Sequence, residues 1–486
     1  MITPEAPDRQ YSTRLRTALV LTGSGTAGAY HAGVLRALHE AGVKIDLVAG
    51  RGVGAISAVF TAVDGGVRLW EANGLWRSTA ATQFYRWRLP LRIAGWTLAA
   101  AAVVFAVPMT LLGIAVLVGL AGLLLTLVGL DAPAATLRST FSGWIDALFA
   151  PTALPTTIPR LVLFVLVVGV AALAINLGWS TIGAHLRRRA RQSILWRLLG
   201  SPLTSSTLLT GSLTELWNLI RGAAPLARPE ANDLARRYVE LLTDNLGQPG
   251  FRELLVAVHD IDARRDVVFA LLGHAHRSRF FGRPGAPESA SRYLEAFDLS
   301  GISRDYAFDA LAAALALPVA TTPHLTAFPP EGPWRGETHR LCDRPAALAR
   351  LLREVATAGA EQVIVVSASS PEAIAHQLGT GREEIRGRAG EYLASFEAAS
   401  LRDALEHFDG RFAGMFVIRP VHNPLGPLDF AGVYDERSDR TQALSELVDR
   451  GYEDAYRQFI EPIVGAGGER MEVHQGNGAA GKRGKA

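Results

Sequence analysis

The chain has 486 residues but a single cysteine, Cys342, which excludes any intrachain disulfide and fits a reducing compartment. Charge is scarce as well. Only 20% of residues are Asp, Glu, Lys or Arg, and the formal net charge of +3 gives no basic surface that would point to nucleic acid. Met1 to Arg16 lacks an apolar core, so no signal peptide is expected. Clustered metal ligands are missing too. His259 beside Asp260, and His274 two residues before His276, fall in segments whose pattern reads as helical, where such neighbours point apart. No metal and no cofactor is therefore expected. The longest absence runs from Ile93 to Leu130, where there is no charged residue at all.

What is present is apolar surface. Hydrophobic residues make up 49% of the chain and the mean hydropathy is +0.17, high for a soluble protein of this size. As one helix, Ile93–Leu130 would reach roughly 57 Å, well beyond the ~30 Å of a hydrocarbon core. It reads either as one tilted helix or as two segments broken near Pro108. A second apolar run extends from Leu161 to Trp179, followed by Arg187, Arg188, Arg189, Arg191 and Arg197. A patch of Trp76, Arg77, Phe84, Tyr85, Arg86, Trp87, Arg88 and Arg92 precedes the first run and has the composition of a membrane–water interface. The spacer Asp131–Arg160 reads as a nearly neutral loop.

The rest of the chain is organised around Thr17–Ala62. An apolar strand, Ala18–Leu21, enters the glycine turn Gly23-Ser24-Gly25-Thr26-Ala27-Gly28. A helix pattern over Ala29–Ala41 stops at Gly42. A second strand, Ile45–Ala49, runs into Gly50-Arg51-Gly52-Val53-Gly54 and a small-residue helix. The second turn has the frame G-x-S-x-G of a nucleophile elbow, and the first has the make-up of an oxyanion loop, whose glycines leave N–H groups free to face developing charge. The pair resembles the opening of the patatin-like phospholipases, whose pattern is G-G-G-x-[KR]-G followed by G-x-S-x-G. Gly52 stands where the nucleophile serine belongs, Ser24 replaces the middle glycine and Ala27 the basic residue. Gly23-x-Gly25-x-x-Gly28 also matches a dinucleotide fingerprint. That reading wants a ribose partner at the end of the second strand. Asp46 lies at the strand's start and Arg51 inside a second glycine elbow that a dinucleotide site does not need.

The resemblance returns near the other end. Ala312–Val319 is similar to the small-residue helix and proline of the family. Asp343 then falls where the dyad aspartate is expected, with a helix and the buried strand Glu361–Ser367 after it. Arg344 and Pro345 replace the glycines that follow that aspartate in the family. Asp64-Gly65-Gly66 comes too soon after the elbow and reads as a polar turn. Ser201–Asp244 reads as amphipathic helix and Phe251–Leu272 as its continuation. Gly379–Gly410 reads as an exposed helix held by Tyr392 and Phe396, Phe416–Ile418 as the final strand, Tyr434–Arg440 as a solvated charge alternation, and Gly451–Val464 as an amphipathic helix.

The resemblance implies an α/β fold: a three-layer α/β/α domain interrupted by a transmembrane helical insertion. The expected segments are 1–16 as a tail, 17–80 as the first part of the domain, 81–200 as the insertion, 201–464 as the second part with helical additions, and 465–486 as a disordered tail. Both halves must lie on one side of the bilayer, so the crossings must be even in number, most simply two. The arginine-rich outer flanks place the domain in the cytoplasm at the inner membrane. The expected partners are membrane lipids and not nucleic acid. The resemblance also implies acyl-lipid chemistry by a Ser–Asp dyad. With Gly52 at the elbow and Asp343 as the possible base, three functions stay open: a degenerate hydrolase that binds acyl lipid, an active one with another nucleophile, or a membrane scaffold. Ser57 lies a turn and a half beyond the elbow and would miss the oxyanion loop. Ser24 lies inside that loop with no evident base.

Overall fold

The computed structural model describes residues 11–148, 157–182, 200–282, 289–370, 385–421, 425–430, 432–435, 438 and 440–465. They divide into two compact units, one comprising Trp87–Leu203 and the other the chain on either side of it. The flanking unit is built on a sheet whose strands are continuous apolar runs, as strands covered on both faces must be. In chain order the strands, of which β3, β4, β12 and β13 pair outside this sheet, are β1 (Thr17–Leu21), β2 (Leu47–Gly50), the short β3 (Arg86–Trp87) and β4 (Leu203–Thr204) where the insertion leaves and returns, β5 (Glu253–Asp260), β6 (Arg265–Leu271), β7 (Ala296–Asp298), β8 (His324–Ala327), β9 (Thr338–Cys342), β10 (Gln362–Val366), β11 (Gly414–Ile418), β12 (Val433–Asp435) and β13 (Arg440–Gln442). The main sheet has the order β11-β10-β1-β2-β5-β6-β7, and β9, paired to β8, also pairs with β5. From β11 to β5 every pairing is parallel, whereas β6 and β9 are antiparallel to β5.

The helices of this unit are α1 (Ala27–Glu40), α2 (Gly54–Ala62) and α3 (Val67–Trp70) before the insertion. The insertion holds α4 (Leu89–Leu127), α5 (Asp131–Leu148) and α6 (Thr157–Ile182). After it come α7 (Ser206–Arg221), α8 (Ala231–Asn245), α9 (His274–Phe281), α10 (Ser289–Glu295), α11 (Ala307–Ala314), α12 (Leu348–Thr357), α13 (Ile385–His407) and α14 (Leu444–Ala455). Alternate strand residues face opposite ways. Ala18, Val20, Leu47, Ala49, Leu255, Val363 and Val365 pack on Leu348, Leu351 and Leu352 of α12 and Leu401 and Ala404 of α13. The other face carries α2 and α11. Burial of each large aliphatic side chain in these layers is worth about 1.5–3 kcal/mol. Helices α1 and α14 cross at two glycines: a methyl group on Gly33 would lie 1.8 Å from the Val448 carbonyl, and one on Gly451 2.2 Å from that of Tyr30. The Tyr30 hydroxyl donates to Asp454 Oδ2 at 3.0 Å across the same crossing.

Several expectations are corrected here. Phe251–Leu272 is not helical but the hairpin β5–β6, turning at Arg264 with φ +56°. Its valines favour a strand, and the apolar run was short enough to fit either period. His259 therefore faces a cross-strand partner, Asp266, at 2.8 Å, while Asp260 takes His339 Nδ1 at 2.5 Å. On α13, Tyr392 and Phe396 are exposed, whereas Glu397 is buried. Trp76, Phe84 and Tyr85 are buried rather than interfacial, and of that patch's aromatic residues only Trp87 is exposed. Within 434–440, residues 436, 437 and 439 lie outside the described residues, and the rest form the hairpin β12–β13. The last helix starts earlier than expected, at Leu444, and passes into a wide-turn helix, Tyr456–Gly465.

In the insertion, α4 is one continuous helix of 39 residues that runs through Pro108, about 58 Å long. It packs on α5 and α6. The spacer expected as a loop is mostly α5. Among the described residues one stretch, Met109–Leu127, is long and apolar enough to cross a membrane. The second expected span gives a shorter apolar stretch, Arg160–Ile175, and Leu89–Val103 is another. The arginine cluster at 187–197 lies outside the described residues, as do 1–10 and 466–486.

Candidate functional site

Strands β1 and β2 are parallel neighbours with Leu21 opposite Gly50, so the two glycine turns lie side by side at the carboxyl edge of the sheet. The turn after β2 is tight because its glycines touch backbone. A methyl group on Gly50 would lie 2.5 Å from the Gly54 carbonyl, and one on Gly54 2.2 Å from that of Leu21. Gly52 takes φ +56°, the left-handed region in which a nucleophile elbow holds its central residue. Strand β9 runs antiparallel to β5 and ends at Cys342, so Asp343 reaches the same edge, anchored by its N–H to the Ala316 carbonyl at 2.9 Å.

These elements bring four side chains together from distant parts of the chain. Ser24 Oγ donates to Asp343 Oδ2 at 2.7 Å. Arg51 Nη1 donates to both oxygens of Asp343, at 3.3 and 3.0 Å. Arg51 Nη2 forms an ion pair with Glu397 Oε1 at 2.6 Å. All four are buried, the Arg51 and Asp343 side chains completely. Burial opposes the charge on Arg51, but Glu397 and Asp343 outweigh it and hold its pKa above the ordinary arginine value. Burial raises the pKa of Glu397, the nearby charge of Asp343 adds to this, and Arg51 pulls against it.

The first glycine turn, Gly23–Gly28, faces two ways. The Val53 N–H, first after Gly52, donates to the Gly23 carbonyl at 3.0 Å. A methyl group on Gly52 would lie 2.3 Å from that carbonyl and 2.9 Å from Asp343 Oδ2. By contrast, the N–H groups of Ser24, Gly25, Thr26 and Gly28 make no hydrogen bond among the described residues. Nor do three buried donors close to them: Thr26 Oγ1, Trp76 Nε1 and the Tyr85 hydroxyl. Trp76 lies flat against Gly28, where a methyl group would meet its ring at 2.0 Å. Tyr85 stacks on Phe430, and a methyl group on Gly25 would sit 2.8 Å from the Pro427 carbonyl and 3.6 Å from the Phe430 ring. Segment 425–430 thus covers the loop.

His31, not singled out in the sequence, is fully buried next to the site. Its Nε2 meets the Thr22 carbonyl at 3.0 Å and its Nδ1 meets Ser57 Oγ at 3.3 Å. Burial, aided by the Arg51 charge, lowers its pKa to about 4, so it is neutral: Nε2–H donates to Thr22 and Nδ1 accepts from Ser57. It ties α1 and α2 to β1. Ser57 is thereby engaged away from Asp343. Asp64 ends α2 as a turn, with φ +53° and a bond from Arg252 at 3.0 Å. Arg344 pairs with Asp266 rather than entering the site. Among the described residues no cluster of three His, Cys, Asp or Glu could hold a metal ion.

Cys342 is buried beside Asp343. Burial first, and the neighbouring carboxylates after it, push its thiol up to about 12. Reactivity follows the thiolate. The folded protein is therefore expected to resist maleimide at pH 8 and to react fully once denatured. Rapid native labelling would show that this edge of the sheet opens.

No curated protein matches the chain. Among solved structures, VipD from Legionella pneumophila is similar, at 12% identity and a TM-score of 0.28, over 93% of this chain and 69% of that one. That likeness is too distant to bear on fold or function. The match that matters is the Patatin-like phospholipase family, which covers residues 19–343, from β1 through both glycine turns to Asp343. By the extent of that match the chain belongs to the patatin-like phospholipase family.

Proposed function

We propose that this is a membrane-anchored patatin-like protein that binds acyl lipid but does not hydrolyse it through residue 52, a degenerate lipid acyl hydrolase. The observation that carries the reading is the Gly23 carbonyl. It takes the Val53 N–H and stands where a side chain on Gly52 would project. A glycine cannot attack an ester, and here the adjacent N–H is not free to stabilise an oxyanion. The free N–H groups of Ser24, Gly25 and Thr26 keep a donor set suited to the carbonyl or carboxylate of an acyl chain. Membrane anchoring is supported by α4, whose Leu112, Val116, Leu117, Leu120, Leu123 and Leu124 form one broad exposed apolar face. The arginine-rich flanks favour the cytoplasmic side of the inner membrane for the patatin-like domain.

One observation favours a second reading. Ser24 is hydrogen-bonded to Asp343 as a dyad serine would be, so it is the candidate for a relocated nucleophile. The test uses protein extracted from membranes with detergent. Acyl lipid is expected to co-purify, and a fluorophosphonate probe is expected not to label. Strong labelling that Ser24→Ala removes would replace the first reading by the second. Absence of both lipid and labelling would leave a scaffold. For topology, reporter fusions near Ala135 and at the C-terminus are expected to lie on opposite sides of the membrane, and the same side for both would exclude two crossings.

A further inference from the structure

Away from the glycine turns, a cleft of about 480 Å³ opens between residues 73–86 and helix α7. Its floor is apolar: Phe84 and Leu75 lie beside Gly211 of α7, where a methyl group would make ordinary contact with their side chains at 3.5 and 3.6 Å. Its wall is a row of hydroxyls. Ser206, Thr207, Thr210 and Thr214 all line it from one side of α7. Helix propensity does not ask for five hydroxyl residues in the nine positions 206–214, four of which line the cleft. Thr207 Oγ1 is buried and has no hydrogen-bond partner.

Two cations stand on this cleft. Arg86 lines it, is exposed, and pairs with no carboxylate among the described residues. Arg228 reaches it by donating Nη1 to Thr214 Oγ1 at 2.6 Å, and it too has no carboxylate partner among the described residues. Some exposed arginines of this unit are paired, as Arg340 is with Asp262 and Arg440 with Glu446. One acid, Glu215, lines the cleft, nine residues beyond Ser206 and hence about 13 Å along the helix. Unpaired guanidinium groups flanking a hydroxyl row on an apolar floor suit a phosphate ester, whose oxygens accept charge-assisted bonds from arginine and ordinary ones from serine and threonine.

The position in the chain selects the kind of phosphate. Arg86 is the last residue before the inserted unit, and Ser206 follows its end within three residues. We infer that this cleft is a subsite for the phosphate of a glycerophospholipid headgroup, held where the chain enters and leaves the bilayer. Identification of the source rests on the membrane reading proposed above; the phosphate chemistry does not. The cleft is separate from the Gly52–Asp343 edge and shares no residue with it.

The test uses the full-length protein in maltoside detergent and titrates it by calorimetry with glycerophosphoglycerol, the deacylated headgroup of phosphatidylglycerol, and separately with inorganic phosphate. The expected result is saturable binding of glycerophosphoglycerol that Arg86→Ala weakens about tenfold and Thr207→Val about threefold, in line with losing a charged and a neutral hydrogen bond. Arg228→Ala is expected to weaken it as well, and Glu215→Gln is expected not to. Equal affinity of wild type and Arg86→Ala would overturn the inference, whatever the folding of the other variants, since Arg86 is exposed. Inorganic phosphate binding as tightly as glycerophosphoglycerol would overturn the lipid source. Flotation with phosphatidylglycerol vesicles is the independent arm. Loss of flotation with retained headgroup binding would reject the membrane reading and leave the phosphate site standing.

Discussion

Arg51→Met is expected to destabilise the patatin-like unit by about 3–5 kcal/mol at neutral pH, because it leaves two buried carboxylates without a counter-charge. Asp343 and Glu397 both lean on this guanidinium, and the three side chains are 0–7% exposed. Water cannot screen what remains. The loss should depend on pH in a defined direction. Glu397 already has a raised pKa, through burial first and with Asp343 adding to it, while Arg51 restrains it. Without Arg51 the pKa rises further. A carboxyl whose folded pKa lies above its unfolded value of about 4.3 costs nothing below that value and its full amount above the folded one. The variant's deficit should therefore shrink as pH falls from 7.5 towards 5. Arg51→Met combined with Glu397→Leu should recover part of it at neutral pH. Denaturant midpoints of the wild type and both variants at the two pH values measure this. A deficit that neither acid nor the second substitution reduces would mean that Arg51 acts by filling space and not by charge.

The second large effect concerns residue 52. From the sequence alone, Gly52→Ser would return a hydroxyl to the elbow with Asp343 as its base. The structure leads to the opposite expectation: no probe labelling, and a less stable protein. The new Cβ would stand 2.3 Å from the Gly23 carbonyl and 2.9 Å from Asp343 Oδ2. Overpacking of this kind costs about 1–3 kcal/mol, and a side chain at φ +56° about 1–2 kcal/mol more. The Gly23 peptide would have to turn away, breaking its bond from Val53. Asp343 would still be held by Arg51 and Ser24. Adding Ser24→Gly, which restores the family's loop glycine, is expected to relieve crowding without restoring turnover while Arg51 stays in place. Labelling of Gly52→Ser that Asp343→Asn abolishes would refute this and show that one side chain is enough to complete a working dyad.

Much of the scaffold was legible in the residues. Apolar runs as short as Ala18–Leu21 and Val363–Val366, bounded by turn residues, suit strands covered on both faces, and the glycine turns fix what joins them to the helices. Gly52 and Asp343 were identified because their place in that order is set by the motif. Where local pattern is degenerate, the reading failed. Residues 253–271 are apolar enough for either period, and only their pairing with β2 and β9 makes them strands. Glu397 had no signal at all: a glutamate on a charged helix looks solvated until that helix lands on the elbow.

The sequence by itself determined that this chain builds a patatin-like sheet with two adjacent glycine turns, that no side chain stands at the elbow, and that a long uncharged stretch divides the domain. Those properties follow from residue identity and local spacing. Tertiary structure alone decided what the site's remaining groups do. It set Arg51 between Asp343 and Glu397, gave Ser24 its carboxylate partner, and turned the Gly23 carbonyl onto the Val53 N–H. These contacts join residues 292 or more positions apart, or depend on which way a single peptide faces. A local pattern cannot encode either, because both are settled by which arrangement best satisfies buried charge and buried hydrogen bonds together.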